Sequence, residues 1–411
     1  MEYSRLQFVH QGTKEKLKNL NFQQKILDYI GGTCMIPALR ISVSQKNEIL
    51  QNITKILDSK IMWTNSEFCN EAEKLFSSIS QNKYNITLST GSSAITALLY
   101  SLNIMDSIIF VPVLTAPATI ISCLSTNSKL VFVDASLSSF SMSPSDLEKK
   151  IQKYYVGSMY KNGAIIMVHV GGVISKEVLE IKAIAEKYNL IFIEDCAHAH
   201  GSYYDGKSAG TFGIAGTFSF FLTKTITCGE GGIVSTNSSD INERVRRIRN
   251  YGKSDTGMIT ERGSSWRLNE FSAAVLISQI KHFCDIGDKR RQWIAKQYND
   301  NIDNDCFKIF HLPSKSKSGY YKYILKVSEP KTFSYIDFLN YMKRHDIILP
   351  ARVFDRLTIE EPFIHSCRQI INIEDSFDTA KYLCNAHVCL PIYEDLSDME
   401  VDKIIETINE Y

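Results

Sequence analysis

Between residues 85 and 236 the chain alternates short apolar runs with longer segments whose apolar positions recur every three or four residues. The short runs read as strands over 85–88, 108–112, 130–133, 164–170, 190–194, 217–221 and 233–236. The longer segments read as helices over 92–102, 118–126, 144–155 and 176–188. Runs such as IIFVP and KLVFV hold almost no polar residue. Strands look like this when helices cover both faces of their sheet. Pro144 suits the first turn of its helix, where no N–H has to be donated. The pattern predicts an α/β domain on a mostly parallel sheet.

The texture changes after Leu268. Two successive helices are expected from 268 to about 298, strands at 307–310 and 320–327, a helix at 335–345 and two helices near the end. This predicts a smaller α+β domain over 286–411, beside a large domain over 61–285. Residues 1–60 read as a helical, polar segment, with QKNEILQNITKILDS as its clearest amphipathic piece. No internal repeat or low-complexity segment interrupts this order.

Composition narrows the function classes. A net charge of +1 gives no global field favouring nucleic acid or an acidic membrane. No apolar run is long enough to cross a bilayer, and residues 1–20 lack a signal-peptide core. Ten cysteines without CxxC pairs fit reduced thiols, so a cytoplasmic location is expected. Cys384, His387 and Cys389 are the one tight Cys/His group, but three ligands leave a structural zinc site incomplete.

In open α/β sheets ligands bind beyond the C-terminal ends of the strands. Three such turns carry chemistry. In LSTGSSAITALLYSL, Gly91 permits a tight turn and Ser92 and Ser93 open a helix; this is either an anion site suited to phosphate or a plain serine cap. In IEDCAHAHG, an apolar strand runs into Glu194 and Asp195, then His198 and His200. There a carboxylate for a protonated ring nitrogen, a metal site and a polar surface loop all remain open. In FSFFLTKTITCGEGG, Ser219 stands between phenylalanines and Lys224 follows before a glycine-rich turn. A lysine beside an apolar sheet is partly desolvated, and its neutral amine can attack a carbonyl. Pyridoxal phosphate would need such an amine, an anion site, a carboxylate for its ring nitrogen and a partner for its phenolic oxygen.

These segments, with VPVLTAPATIISCL, KLVFVDASLSSFSMSPSDLEKKI, RRIRNYG, SSWRLNEFSAAVLISQI and LPIYEDLSDMEVDKII, resemble the DegT/DnrJ/EryC1/StrS family of pyridoxal-phosphate sugar aminotransferases from about residue 61 onward. The resemblance implies a fold type I architecture, a homodimer, and conversion of a nucleotide-linked keto-sugar to an amino-sugar with glutamate as donor. By position, Lys224 resembles the lysine that binds the cofactor covalently, and Asp195 the partner of the pyridinium nitrogen. Ser219, with Ser92 and Ser93, resembles the phosphate contacts; His198 stands where many relatives carry glutamine near the phenolic oxygen.

Two positions depart from the family pattern. Ala116 replaces the aromatic residue that covers the ring, and Ser265 in GSSWR replaces the asparagine that reaches the partner's phosphate. Arg244, Arg246, Arg247 and Arg249 are expected to be mostly a solvated helix face, with any one of them, or Arg267, as a candidate for a diphosphate. A sugar dehydratase shares the fold, but its known form has histidine where Lys224 stands. A non-catalytic regulatory protein on the same fold is the other alternative.

Overall fold

The computed structural model describes residues 35–41, 45–59 and 63–411. Of the expected N-terminal segment, residues 1–34, 42–44 and 60 lie outside the described residues. The amphipathic piece is a helix, Lys46–Ser59, which buries Ile49, Asn52 and Ile56. It lies along the helix Glu270–His282, where Lys281 reaches Glu48 at 2.9 Å.

The large sheet has seven strands: β1 (Tyr84–Leu88), β2 (Ile108–Pro112), β3 (Lys129–Val133), β4 (Gly163–Val168), β5 (Ile191–Asp195), β8 (Ala215–Ser219) and β9 (Gly232–Thr236). Between β5 and β8 comes a two-residue pair, β6 (Tyr203–Tyr204) and β7 (Lys207–Ser208). The sheet order is β1-β9-β8-β5-β4-β2-β3. β9 pairs antiparallel with both neighbours while the other neighbouring pairs are parallel, so β9 alone runs backwards. Every residue of β2, β4, β8 and β9 is buried, as the continuous apolar runs require.

Helices form the flanking layers. Pro117–Leu124 and Pro144–Tyr154 begin with proline, and Ser143 caps the second by accepting the N–H of Asp146. The two helices expected after 268 are Glu270–His282 and Asp288–Asn301, joined by a wide turn over Phe283–Gly287.

A second sheet, β10 (Phe307–Ile309), β12 (Tyr323–Val327) and β13 (His387–Leu390), is antiparallel and packs with the helices Asp288–Asn301, Tyr335–Arg344 and Asp398–Asn409 around Phe338, Met342, Ile404 and Ile408. The short strand β11 (Ser316–Lys317) pairs with β6. Residues 35–41 join this unit: Arg40 forms a two-point pair with Glu400, and the Pro37 carbonyl accepts Tyr393 Oη–H at 3.1 Å. Part of the C-terminal chain returns to the large sheet instead. Leu130 of β3 donates its N–H to Gln369 O and accepts that of Ile371, and Lys150, buried, bonds Asp146 and the Phe132 carbonyl beneath this return. Among the described residues no helix is long and apolar enough to cross a membrane.

Candidate active site

The C-terminal ends of β1, β2, β4, β5 and β8 open onto one cavity of about 410 Å³. Ser92, Ala116, Asp195, His198, Ser219 and Lys224 all line it. Residues far apart in sequence therefore meet because their strands run parallel and end on one edge.

Asp195 ends β5 and is buried. Its Oδ1 accepts the Ala197 N–H at 3.0 Å and its Oδ2 accepts the Thr119 hydroxyl at 2.8 Å. Thr119 in turn accepts the hydroxyl of Thr115 at 2.8 Å. This relay fixes the carboxylate plane while an ionised carboxylate keeps lone pairs to spare. Nothing in the local sequence marks Thr119, since Thr115 lies in the bend before the helix Pro117–Leu124 and the two hydroxyls meet only through the geometry of that turn.

Gly91 opens the helix Gly91–Ser101, and a Cβ there would lie 2.7 Å from the Cβ of Ser219. Only glycine lets the helix start approach the end of β8 this closely. Ser92 lines the cavity beside it. Ser93 turns inward instead: its hydroxyl donates to Thr90 O at 2.8 Å and closes a capping box with Thr90. The turn thus divides its serines: Ser92 faces the cavity, while Ser93 completes the capping box around the N-cap Thr90.

Lys224 follows β8 on the loop that leads into β9, with its N–H bound to Phe221 O at 2.8 Å. Its Nζ sits 4.5 Å from the centre of the Tyr321 ring. His198 stacks on the same ring at 4.1 Å, the planes 21° apart. Burial, then the charge of Lys224, hold His198 well below the usual imidazole range, so it is a neutral ring. Burial pushes the Tyr321 phenol up, but Lys224 and Lys322 more than offset this and leave it below its ordinary value.

The metal alternative does not match this arrangement. His200 lies in a box of Phe76, Phe218 and Phe220. Burial and then Lys224 push it down to about 3; the Ser219 backbone favours its charge slightly but makes no hydrogen bond to the ring. Among the described residues the group of metal-ligand type is His169, Glu194 and Cys196, all buried. There Glu194 is already saturated by His169 Nε2 and the N–H groups of Gly210, Phe212 and Gly213, which staples the β7–β8 loop to β5. His387, in the Cys384–Cys389 group, uses both ring nitrogens: Nδ1 bonds Leu383 O and Nε2 accepts the Val353 N–H.

The arginine run is a correction to the expected solvated face. Arg249 is 2% exposed and pairs with Glu73 at 2.9 Å; Arg246 reaches the same carboxylate at 2.6 Å. Arg244 and Arg247 share Glu261. Their long-range acidic partners, invisible in the local pattern, consume them. Arg267 bonds Asn250 and Ser265, and Ser265 is exposed outside the Lys224 cavity. Ala116 lines the cavity as expected, and the lining aromatics are Phe218 and Phe221.

Known proteins share this architecture. A structure of a DegT/DnrJ/EryC1/StrS aminotransferase from Brucella abortus superposes with a TM-score of 0.81 at 24% identity, covering 89% of this chain and 95% of that one. The S. venezuelae DesV structure superposes with 0.82 at 22% identity, covering 92% and 98%. In sequence, the chain is 29% identical over 386 residues to a dTDP-3-amino-3,6-dideoxy-alpha-D-galactopyranose transaminase of Aneurinibacillus thermoaerophilus, covering 92% of this chain and 99% of that protein. It is 28% identical over 382 residues to a GDP-perosamine synthase of Escherichia coli O157:H7, covering 92% and 98%. With the family's model matching residues 43–409, nearly the whole described chain, this protein belongs to the DegT/DnrJ/EryC1/StrS aminotransferase family.

Proposed function

We propose that the protein binds pyridoxal 5′-phosphate and transfers an amino group from glutamate to the carbonyl of a nucleotide-linked keto-sugar. The observation that carries this reading is the meeting of an amine (Lys224), a buried carboxylate (Asp195) and two hydroxyls (Ser92 and Ser219) in one cavity at the strand ends. The donor set fits the cofactor. The first turn of the helix Gly91–Ser101 has backbone N–H groups without intrahelical partners, beside Ser92 and Ser219, a cradle that a Cβ on Gly91 would fill. Thr217 Oγ1 also lines the cavity and is buried with no partner.

When bound, the cofactor supplies an electron sink for negative charge at the amino donor's Cα. Asp195 Oδ atoms, oriented by Thr119 and Ala197, hold the ring nitrogen in its protonated form. His198 Nδ1 accepts the Gly171 N–H at 3.4 Å, which leaves its proton on Nε2, free to donate toward the phenolic oxygen. With the cofactor bound, Lys224 Nζ would take the proton from the donor's Cα as general base and deliver it as general acid to the cofactor's former carbonyl carbon. The second half of the reaction uses the same groups in reverse order on the sugar carbonyl.

The names of the relatives, which span dTDP-, GDP- and UDP-linked sugars, support a nucleotide-linked substrate. A cytoplasmic homodimer follows from the same reading. Exposed Tyr251, Met258 and Ile259 next to the Ser265 segment support docking of a second copy there. Sedimentation should give a dimer, and a monomer of full activity would contradict it.

The test of the function is direct. Borohydride should fix the cofactor to Lys224, identified by peptide mapping. Glutamate with a nucleotide-linked keto-sugar should yield a sugar carrying nitrogen by mass spectrometry. A deoxygenated, nitrogen-free product would favour the dehydratase alternative and sink the aminotransferase one.

A further inference from the structure

Lys224 has no ion-pair partner among the described residues, and the contact its ammonium makes is with a ring from a distant part of the chain. Tyr321 immediately precedes β12 of the small sheet by two residues, yet its ring reaches the loop after β8. Its place is built from several sides. The buried guanidinium of Arg291 donates to Tyr320 O at 3.1 Å, and Lys322 N–H donates to Gly171 O at 3.2 Å. Tyr320 adopts a left-handed backbone, φ +48°, which turns the chain at this point. The Tyr321 hydroxyl lies 3.4 Å from the hydroxyl of Thr223, the residue before Lys224.

The ring also holds His198. The turn Gly171–Gly172, with φ +67° and +94°, ties their segments together: the Gly171 N–H donates to His198 Nδ1 and the Gly171 carbonyl accepts the Lys322 N–H. A Cβ on Gly172 would come within 2.7 Å of His198 O and 3.3 Å of Tyr321 N. The glycines therefore permit the approach that stacks the two rings.

From this geometry we propose that Tyr321 is the positioning residue for Lys224. Its ring is the seat that receives the ammonium whenever the amine is not covalently engaged, and it holds His198 in register with it. A cation over an aromatic face in a partly desolvated site is attracted by the ring quadrupole. The seat replaces a carboxylate partner, which would bind the amine too tightly for it to leave and return. Because Tyr321 belongs to the segment that enters the small sheet, the lysine's resting position is tied to that sheet and not only to its own loop. The last two steps rest on the cofactor reading above; the seat itself does not.

The experiment separates the two. The full-length protein, stripped of any carbonyl cofactor by dialysis against cysteine, is reductively methylated with ¹³C-formaldehyde and a borane reductant, and its lysine methyl resonances are recorded. The Lys224 resonance is assigned by its loss in Lys224→Arg. In the parent it should be shifted upfield by the ring current of Tyr321; it should stay so in Tyr321→Phe and move to the ordinary position in Tyr321→Leu. Pyridoxal phosphate is then added to unmethylated protein and its capture followed by visible absorbance. Capture should slow about tenfold in Tyr321→Leu, because an unseated lysine spreads over rotamers that point away from the cavity, and Tyr321→Phe should restore the parent's rate. An unshifted Lys224 resonance in the parent overturns the proposal, even if the leucine variant fails to fold. A phenylalanine variant as slow as the leucine one overturns it too, since that would assign the effect to the hydroxyl. If no form captures pyridoxal phosphate, the cofactor reading fails, while the ring-current result still decides the seat.

Discussion

Replacing Glu73 by glutamine should destabilise the protein far more than a change of one atom suggests. Glu73 is 6% exposed and Arg249 2%. Glu73 Oε1 accepts Arg249 Nη1 and the N–H and hydroxyl of Thr87, each at 2.9 Å, while Oε2 accepts Arg246 at 2.6 Å. Arg249 also donates to Thr87 O at 2.6 Å. Glutamine keeps the shape but leaves Arg249 a buried cation without its counter-charge, and turns an N–H₂ toward a guanidinium. Breaking one partner of a buried pair costs about 3–5 kcal/mol. The assay is the urea midpoint of Glu73→Gln, Arg249→Met and the double variant Glu73→Leu/Arg249→Met, with Glu148→Gln as the exposed control. The double variant should cost less than the sum of the singles, because it removes both charges. A pH series adds an independent check. Burial pushes the Glu73 carboxyl up, but Arg249 and Arg246 outweigh it and hold it below its usual range. Its contribution is complete above a pH of about 4.5 and is lost as the pH falls toward the depressed native value, so Glu73→Gln should flatten that part of the acid limb. The reasoning is refuted if Glu73→Gln shifts stability by less than about 1 kcal/mol, the range of exposed ion pairs, or if it leaves the acid limb unchanged.

Other outcomes follow from the site. Gly91→Ala should push Ser219 aside and cost about 1–3 kcal/mol in thermal unfolding, the usual penalty for overpacking; an unchanged melting temperature would show that the contact has slack. Thr119→Val removes the donor to Asp195 Oδ2, and turnover should fall at least about tenfold, the lower bound for a hydrogen bond to a charged group; near-normal rates in steady-state assays would show the relay to be dispensable. His200 is held neutral to about pH 3, whereas the unfolded ring gains its proton near pH 6.5, so native stability falls as the pH drops through this window. At about 1.4 kcal/mol per unit, His200→Leu should lose about 2 kcal/mol less than the parent between pH 7 and pH 5 in urea midpoints. Parallel losses in both proteins would disprove the assignment.

The large sheet was legible because each strand has both faces covered, and an all-apolar run such as IIFVP leaves little choice. The residues just after those strands were legible for the same reason, since parallel strands send Ser92, Asp195 and Lys224 to one edge. Strand β13 was not, because His387–Leu390 follows a helix without a turn signal and merges with it into one apolar run. The fate of the arginines was hidden because Glu73 lies far away in sequence and reaches them only through tertiary packing. Tyr321 was hidden more deeply. It sits among other tyrosines in SGYYKYILK, and its role comes from the small sheet's placement beside the Lys224 loop. Ser93 shows the opposite limit: the pattern located the helix start, but only the side-chain geometry divides the two serines between cavity and cap.

The backward course of β9 has a consequence for how the protein comes to be active. β8 and β9 are antiparallel neighbours in register from Ala215↔Thr236 to Ser219↔Gly232, so the lysine loop closes between adjacent strands and needs no crossover helix. Its own closure is a local event with a small entropic cost. The other half of the site depends on β1, which docks against the far side of β9, with Leu88 opposite Gly232. That pairing joins strands far apart in sequence, the kind of contact whose loop closure costs the most entropy. The lysine loop thus closes locally, whereas Gly91 meets Ser219 only when β1 is paired with β9. The Lys224 loop and the helix start that faces it across the cavity therefore depend on different closures of the sheet, one local and one long-range.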